Sequence, residues 1–219
     1  MNVPPYHSLE HGIISLLFFA GTSDLWEGSV EGKWERKRGT IEHYDRLASI
    51  YDSLYGEEQS IKMGLALRNV KVRSGDLLLD IGCGTGILME FVASMIRHYV
   101  GLDLARETLK VASERSKRLR VKSKVSLIRA DADYLPFRAG SFSIIFALTL
   151  LQNIPKPSRT LMEILRVAKG KSQIVITGLK KSFTKKEFDE LICNIWRDHT
   201  FLEAPGSKDF IVVIKVKDK

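Results

Sequence analysis

The sequence predicts an α/β fold: a doubly wound, seven-stranded, mostly parallel sheet with one antiparallel strand near its edge, helices on both faces, and a helical appendage at the N-terminus. Three observations predict it. Short continuous runs of Val, Ile and Leu recur from residue 76 to residue 216, as expected of strands buried on both faces. Segments with helical spacing separate most of these runs, the pattern of parallel strands joined by crossover helices. Only a short turn containing "PGS" (205–207) separates the last two runs, too short for a crossover, so those strands should pair antiparallel.

Residues 1–39 read as an appendage, and residues 40–219 as the main domain with a helical cap at 40–68. In the appendage, "GIISLLFFAG" (12–21) is too short to span a bilayer, which takes about 20 apolar residues. No basic residue precedes it, so it does not match a signal peptide and reads as a short helix docked on the domain. "SDLWEGSVEGKWERKRG" (23–39) is turn-like and ends basic. From Ile41 to Leu67 the pattern turns helical, with Tyr44, Leu47, Ala48, Tyr51, Leu54 and Tyr55 at three- and four-residue spacing. Strand "DLLLDI" (76–81) is followed by helix "GILMEFVASMI" (86–96), and strand "HYVGLDL" (98–104) by helix "ARETLKVASERSKRL" (105–119). Strands "VSLIRA" (125–130) and "SFSIIFAL" (141–148) come next, then helix "PSRTLMEILRVA" (157–168) and strand "SQIVITGL" (172–179). A helix from Thr184 to Trp196 opens on "TKKE", a capping box with Thr184 as cap and Glu187 three residues on. Strands "TFLEA" (200–204) and "DFIVVIKV" (209–216) finish the chain.

Composition narrows the class. With 44% apolar and 27% charged residues in 219, the chain is an ordinary globular protein able to bury a core. Its formal net charge of +8 favours a polyanionic partner. Cys83 and Cys193 have neither metal-ligand spacing nor a disulfide framework, so a reducing cytoplasm is the expected setting. Cys83 reads as a small loop residue, and Cys193 as buried and inert on its helix. The five histidines show no ligand pattern, so no metal and no membrane span are expected, and a monomer is plausible.

The chemistry gathers at "LLLDIGCGTGILMEF" (77–91). Gly82, Gly84 and Gly86 occupy the turn between the first strand and its helix, where glycine admits positive φ and close approach to the backbone. The spacing is G-x-G-x-G, with Ile87 where a dinucleotide fingerprint would place its last glycine. Asp80 precedes the turn, Asp103 ends the next strand, and Asp131 ends the one after. A carboxylate beside the turn suits a ligand with a cationic amino-acid end better than a pyrophosphate.

"LLDIGCGTG", "VGLDL", "DADYLPF" and "SFSIIFALTLLQNIPKP", in that order, resemble the class I S-adenosylmethionine-dependent methyltransferases, and most of all the subgroup of ubiquinone/menaquinone-type methyltransferases. The resemblance covers roughly residues 40–217. It implies a bound S-adenosylmethionine, released as S-adenosylhomocysteine. By that resemblance Asp80 and Gly82 hold the methionine amino group, and Cys83, Gly84 and Gly86 form the loop beneath the cofactor. Asp103 binds both ribose hydroxyls, and Leu104 packs on the adenine. Asp131 accepts from the adenine amino group, and Ala132 offers its backbone. Leu148 and Thr149 line the methionine side, and Tyr44 and Tyr51 cap the cofactor. Many relatives carry aspartate where this chain has Ser143, a position that opens a strand rather than ending one.

For the acceptor, neither cysteine is placed for a thiolate mechanism. Gln152 and Asn153, in "LQNIPKP" (151–157), loosely echo the motif of enzymes that methylate exocyclic amino groups, and are the candidate catalytic residues. They could equally cap the following helix. Two basic clusters are expected at the mouth: Lys33, Arg36, Lys37 and Arg38 before the cap, and Lys180, Lys181, Lys185 and Lys186 after the fifth strand. A third run, from Arg115 to Lys124, reads as a solvated face. A basic rim suits a phosphate backbone with a flipped or single-stranded base. The expectation is therefore methylation of an RNA base, ribosomal or transfer, at an exocyclic nitrogen such as cytidine N4, with RNA or a ribosomal subunit as partner. Methylation of a quinone-like metabolite is the alternative, and of a protein the third reading.

Overall fold

The structure, a computed structural model, describes residues 30–203 and 205–218. The apolar run at 12–21 lies outside the described residues. Helices α1 (Val30–Leu47) and α2 (Tyr51–Arg68) lead into β1 (Leu77–Ile81), α3 (Leu88–Val92), β2 (His98–Asp103) and α4 (Arg106–Arg118). Then come β3 (Val125–Arg129), β4 (Phe142–Ala147), α5 (Pro157–Val167), β5 (Ala168–Leu179), α6 (Lys185–Cys193), β6 (His199–Leu202) and β7 (Asp209–Lys215). The sheet order is β3-β2-β1-β4-β5-β7-β6. Strands β1 to β5 pair parallel, while β7 runs antiparallel to both β5 and β6. The expected seven strands with one reversed near the edge are all present.

The strands carry no polar face because both sides are covered. Alternate residues of β1 serve opposite layers: Leu79 and Ile81 pack with Ile145, Ile174, Leu161 and Phe188, whereas Leu78 packs with Ile144, Phe146, Met63 and Ala112. Helix α6 starts where Thr184 accepts from the Glu187 N–H, and the Glu187 carboxylate accepts from the Thr184 N–H, the expected capping box. Its buried face is Phe188 and Ile192, four residues apart. Cys193, one position on, turns out to solvent, contrary to its expected burial.

Three further expectations change. The segment expected to be turn-like before residue 40 is helical from Val30, so α1 runs unbroken across 39/40. The expected cap helix is interrupted at residues 48–50, between α1 and α2. Leu54 and Tyr55, expected on the packed stripe, are exposed; α2 instead buries Gln59, Lys62, Met63 and Ala66. Among the described residues, no helix is long and apolar enough to cross a membrane.

The sheet order reverses at β1, whose neighbours are β2 on one side and β4 on the other. In open α/β sheets, that reversal opens a crevice beyond the carboxyl ends of the strands. Here α1 and α2 lie over it.

Candidate active site

The crevice begins with the loop after β1. Gly82 and Cys83 both donate to the Leu102 carbonyl, at 2.7 and 3.0 Å, folding the loop against the end of β2. Gly82 has φ 72°, and a Cβ there would come within 3.0 Å of Leu150. At Gly86, φ 76°, a Cβ would meet Met89 at 2.1 Å and Ala112 at 3.1 Å. Gly86 thus serves the packing of α3 against α4 and does not line the crevice.

The cleft encloses about 780 Å³ of space, the open solvent at its mouth included. Its floor is Gly82, Gly84, Leu102, Asp103, Leu104 and Ala105; Ala130 and Ala132 stand on one side and Leu148, Thr149 and Leu150 on the other. Asn153 and Ile154 close the far wall, and α1 contributes Lys37, Thr40, Ile41 and Tyr44, with Tyr51 from α2. Of the expected cofactor residues, Gly82, Gly84, Asp103, Leu104, Ala132, Leu148, Thr149, Tyr44 and Tyr51 are brought together here. Asp80, Cys83, Gly86 and Asp131 do not line it, nor does Gln152.

Asp103 is organised by backbone: its Oδ2 accepts from Gly84 N–H and its Oδ1 from Ala105 N–H, both at 2.8 Å. Burial raises its pKa, and those N–H donors oppose the rise. Asp80 is sealed below the loop, where the Tyr99 hydroxyl donates to its Oδ2. Burial pushes its carboxyl up to about 7 against the pull of that hydrogen bond. Burial likewise pushes the Cys83 thiol well up, which leaves it protonated and a poor nucleophile. Among the described residues, no cluster of His, Cys, Asp and Glu could hold a metal.

The basic rim is rearranged. Lys37, expected at the rim, is only 7% exposed. Its ammonium donates to both oxygens of Asp131, at 2.8 and 2.6 Å, and to Asp133. Burial pulls the Lys37 pKa down, but the two carboxylates outweigh it and the net shift is upward. Asp131, expected to face an adenine amino group, therefore has both oxygens engaged by lysine. Arg36 and Arg38 are exposed on α1, and the Lys33 side chain lies outside the described residues. Lys180 donates to the Ser207 carbonyl and lies over the Phe210 ring, Lys185 lies over Phe201, and Lys186 pairs with Glu190. With exposed Lys181, none of the four lines the cleft.

Arg115, read as part of a solvated face, is buried. It pairs with Asp52 of α2 and Glu90 of α3 and donates to the Thr85 carbonyl at 2.9 Å. The Thr85 hydroxyl donates to Asp52 at 2.6 Å, so the glycine loop, α2 and α4 are tied at one point. On α1, Asp45 accepts from the Glu107 N–H at 2.8 Å, in the first turn of α4. Asn153 donates to the Tyr44 hydroxyl and to the Thr149 carbonyl, both at 3.0 Å. Tyr44 and Tyr51 have ring centroids 6.0 Å apart, and burial raises the pKa of both, so both hydroxyls keep their protons.

Sequence reading missed Lys62 and Gln59, which lie behind Thr149. Their signal was present: residues 59, 62, 63 and 66 fall on one helical face, where two polar side chains interrupt an apolar stripe.

Residues 79–176 match the family model described as a methyltransferase domain. An uncharacterised protein of Methanocaldococcus jannaschii is 30% identical over 141 residues, 64% of this chain and 52% of that protein. A demethylmenaquinone methyltransferase of Lactobacillus johnsonii is 28% identical over 137 residues, 61% of this chain and 55% of the relative. The chain thus spans about half the length of these curated relatives. Among solved structures, the magnesium protoporphyrin IX methyltransferase of Synechocystis with bound S-adenosylmethionine shares the fold, at TM-score 0.65 and 14% identity, covering 83% of this chain and 97% of that one.

The cleft suits that cofactor: a carboxylate beside a bare glycine backbone, an apolar slot between Leu104, Ala130 and Ala132, and hydroxyls at the β4 end. Ordered motifs, sheet topology and the methyltransferase-domain match over residues 79–176 make the chain similar to the class I S-adenosylmethionine-dependent methyltransferases, with a quinone methyltransferase among the relatives it matches.

Proposed function

We propose that this domain transfers the methyl group of S-adenosylmethionine to a small organic acceptor with an apolar body. The observation that carries the reading is the wall beyond Thr149: Leu150, Ile154 and Ile41 are aliphatic, Tyr44 and Tyr51 aromatic, and α1 roofs them over. The name of the Lactobacillus johnsonii relative, a demethylmenaquinone methyltransferase, supports the same acceptor class. Methylation of an RNA base is the second reading. It keeps the support of the net charge of +8 and of exposed Arg36 and Arg38 on the roof helix, but Lys37, which lines the cleft, is paired with Asp131 and Asp133, and Lys180, Lys181, Lys185 and Lys186 do not line it.

When bound, the cofactor supplies a methyl group already activated on a sulfonium. What remains for the protein is alignment and exclusion of water. Asp103 takes the ribose hydroxyls, with two lone pairs left after its backbone bonds. Leu104, Ala130 and Ala132 hold the base. Asn153, its amide fixed by Tyr44 and the Thr149 carbonyl, orients the acceptor, with the protonated Tyr44 as a donor. Gln152 receives no role, since it does not face the cleft.

The test is label transfer from methyl-labelled S-adenosylmethionine. One arm contains a naphthohydroquinone and simple phenols; the other contains RNA and ribosomal subunits lacking the protein's own modification. Label in the small molecules supports the reading. Label in a single nucleoside would replace it with the RNA reading.

A further inference from the structure

Thr149 stands two residues beyond β4, on the cleft wall, with φ 54°. That left-handed conformation is an outlier for a β-branched residue, and it persists only where the surroundings over-determine it. They do so here. The Thr149 N–H donates to the Thr177 hydroxyl at 2.7 Å, and its carbonyl accepts from Asn153 at 3.0 Å. Its Oγ1 accepts from Lys62 Nζ and from Gln59 Nε2, both at 3.0 Å. Lys62 is 3% exposed and is ion-paired with Asp209, 2% exposed, from the start of β7. A buried ion pair adds little stability over an apolar pair of the same shape. Here it places a cation directly behind a hydroxyl of the cleft.

A hydroxyl offers two acceptor positions and one hydrogen. Lys62 and Gln59 fill both acceptor positions. The hydrogen has Gln59 Oε1 as a partner at 3.3 Å, the longest of these contacts. A ligand oxygen in the cleft is a better partner for it, and a negative one is better still with the Lys62 ammonium behind. Asp103 and Thr149 flank the glycine loop from β2 and β4, two strand spacings or about 10 Å apart. An extended adenosylmethionine with its ribose at Asp103 bridges that length with its amino-acid end.

Resting on the proposed function, we infer that Thr149, held and polarised by Lys62, is the donor that reads the α-carboxylate of the cofactor. Gln59 and Asp209 are positioning residues that keep Thr149 and Lys62 in place.

Calorimetry on the full chain tests this with two probes, S-adenosylhomocysteine and methylthioadenosine. The second keeps the nucleoside and thioether but lacks the carboxylate. Thr149→Val should weaken S-adenosylhomocysteine about tenfold, the loss of one hydrogen bond to a charged group, and leave methylthioadenosine within about twofold. Thr149→Ser, which keeps the hydroxyl, should bind both as the unaltered protein does. Lys62→Met alone would strand the Asp209 charge, so it is paired with Asp209→Asn; the pair should repeat the selective loss. Equal weakening of both probes, or no weakening of either, would overturn the assignment. Failure of the unaltered chain to bind S-adenosylhomocysteine would instead remove the proposed function, and this inference with it.

Discussion

The two sides of the molecule are held by different forces. Under α5 and α6 the contact is almost wholly apolar: Leu161, Ile164, Phe188 and Ile192 are fully buried against the sheet, and Phe188 touches the rings of Phe183, Phe201 and Phe210. Over the cleft, α1 is pinned by charge, and α2 adds charge to the apolar contacts of Met63 and Ala66. Lys37 grips Asp131 and Asp133, Lys62 grips Asp209, and Arg115 grips Asp52. Apolar packing is non-directional and grows with area, so it suits a permanent core. Ion pairs and hydrogen bonds are directional and separable, which suits a roof that must admit ligands and then exclude water. The difference teaches that the roof's stability is local, and distinct from that of the sheet.

The largest effect should come from the apolar side. Phe188→Ala should cost about 3–5 kcal/mol. That lowers Tm by roughly 10 °C in thermal unfolding, with roof and sheet melting together. Lys37→Met leaves two carboxylates facing each other and should cost about 3 kcal/mol. The loss should be confined: hydrogen exchange should speed up at residues 33–44 while β1 and β4 amides keep their protection. Slowing or no change in α1 exchange would show that the ionic clasp is not what holds the roof.

Asp103→Ala keeps the clasps but removes the carboxylate that pins Gly84 and Ala105. Calorimetry should show S-adenosylhomocysteine binding weakened by about 2 kcal/mol.

Asp80 probes the apolar interior by pH. Its folded pKa, about 7, is raised above the unfolded value. The protonated form is therefore favoured in the fold. The charged form burdens the native state above pH 7, and that burden lifts as pH falls toward 4. Between pH 8 and pH 5, urea unfolding should show a gain in stability from this group, which Asp80→Asn should abolish. Smallest of all, Lys186→Met, an exposed partner of Glu190, should change stability by less than about 0.5 kcal/mol.

Much of the fold was legible. The runs at "DLLLDI", "HYVGLDL" and "DFIVVIKV" read as strands because burial on both faces removes polar residues. Thr184 and Glu187 read as a cap because the capping box acts within four residues. Gly82, Gly84 and Asp103, read together as a candidate site, do line one cleft, because backbone geometry and strand ends are local features. What failed was charge. Lys37 and Lys186 sit in similar basic stretches, yet one is buried between Asp131 and Asp133, 94 and 96 residues away, and the other is exposed. Arg115 and Cys193 were misplaced for the same reason, since the helix face that meets a neighbour depends on where that neighbour lies.

By itself, the sequence determined the strands, their mostly parallel pairing and the glycine turn after β1, because hydrophobic periodicity, glycine and caps act over a few residues. Only the tertiary structure decided which charges are surface and which are structural. It buried Lys37 and Lys62 beside the cleft, left Lys181 outside it, and bent Thr149 into a conformation that four long-range and local hydrogen bonds maintain. The physical reason is that a charged side chain is buried only where opposite charge meets it, and those partners come from distant parts of the chain.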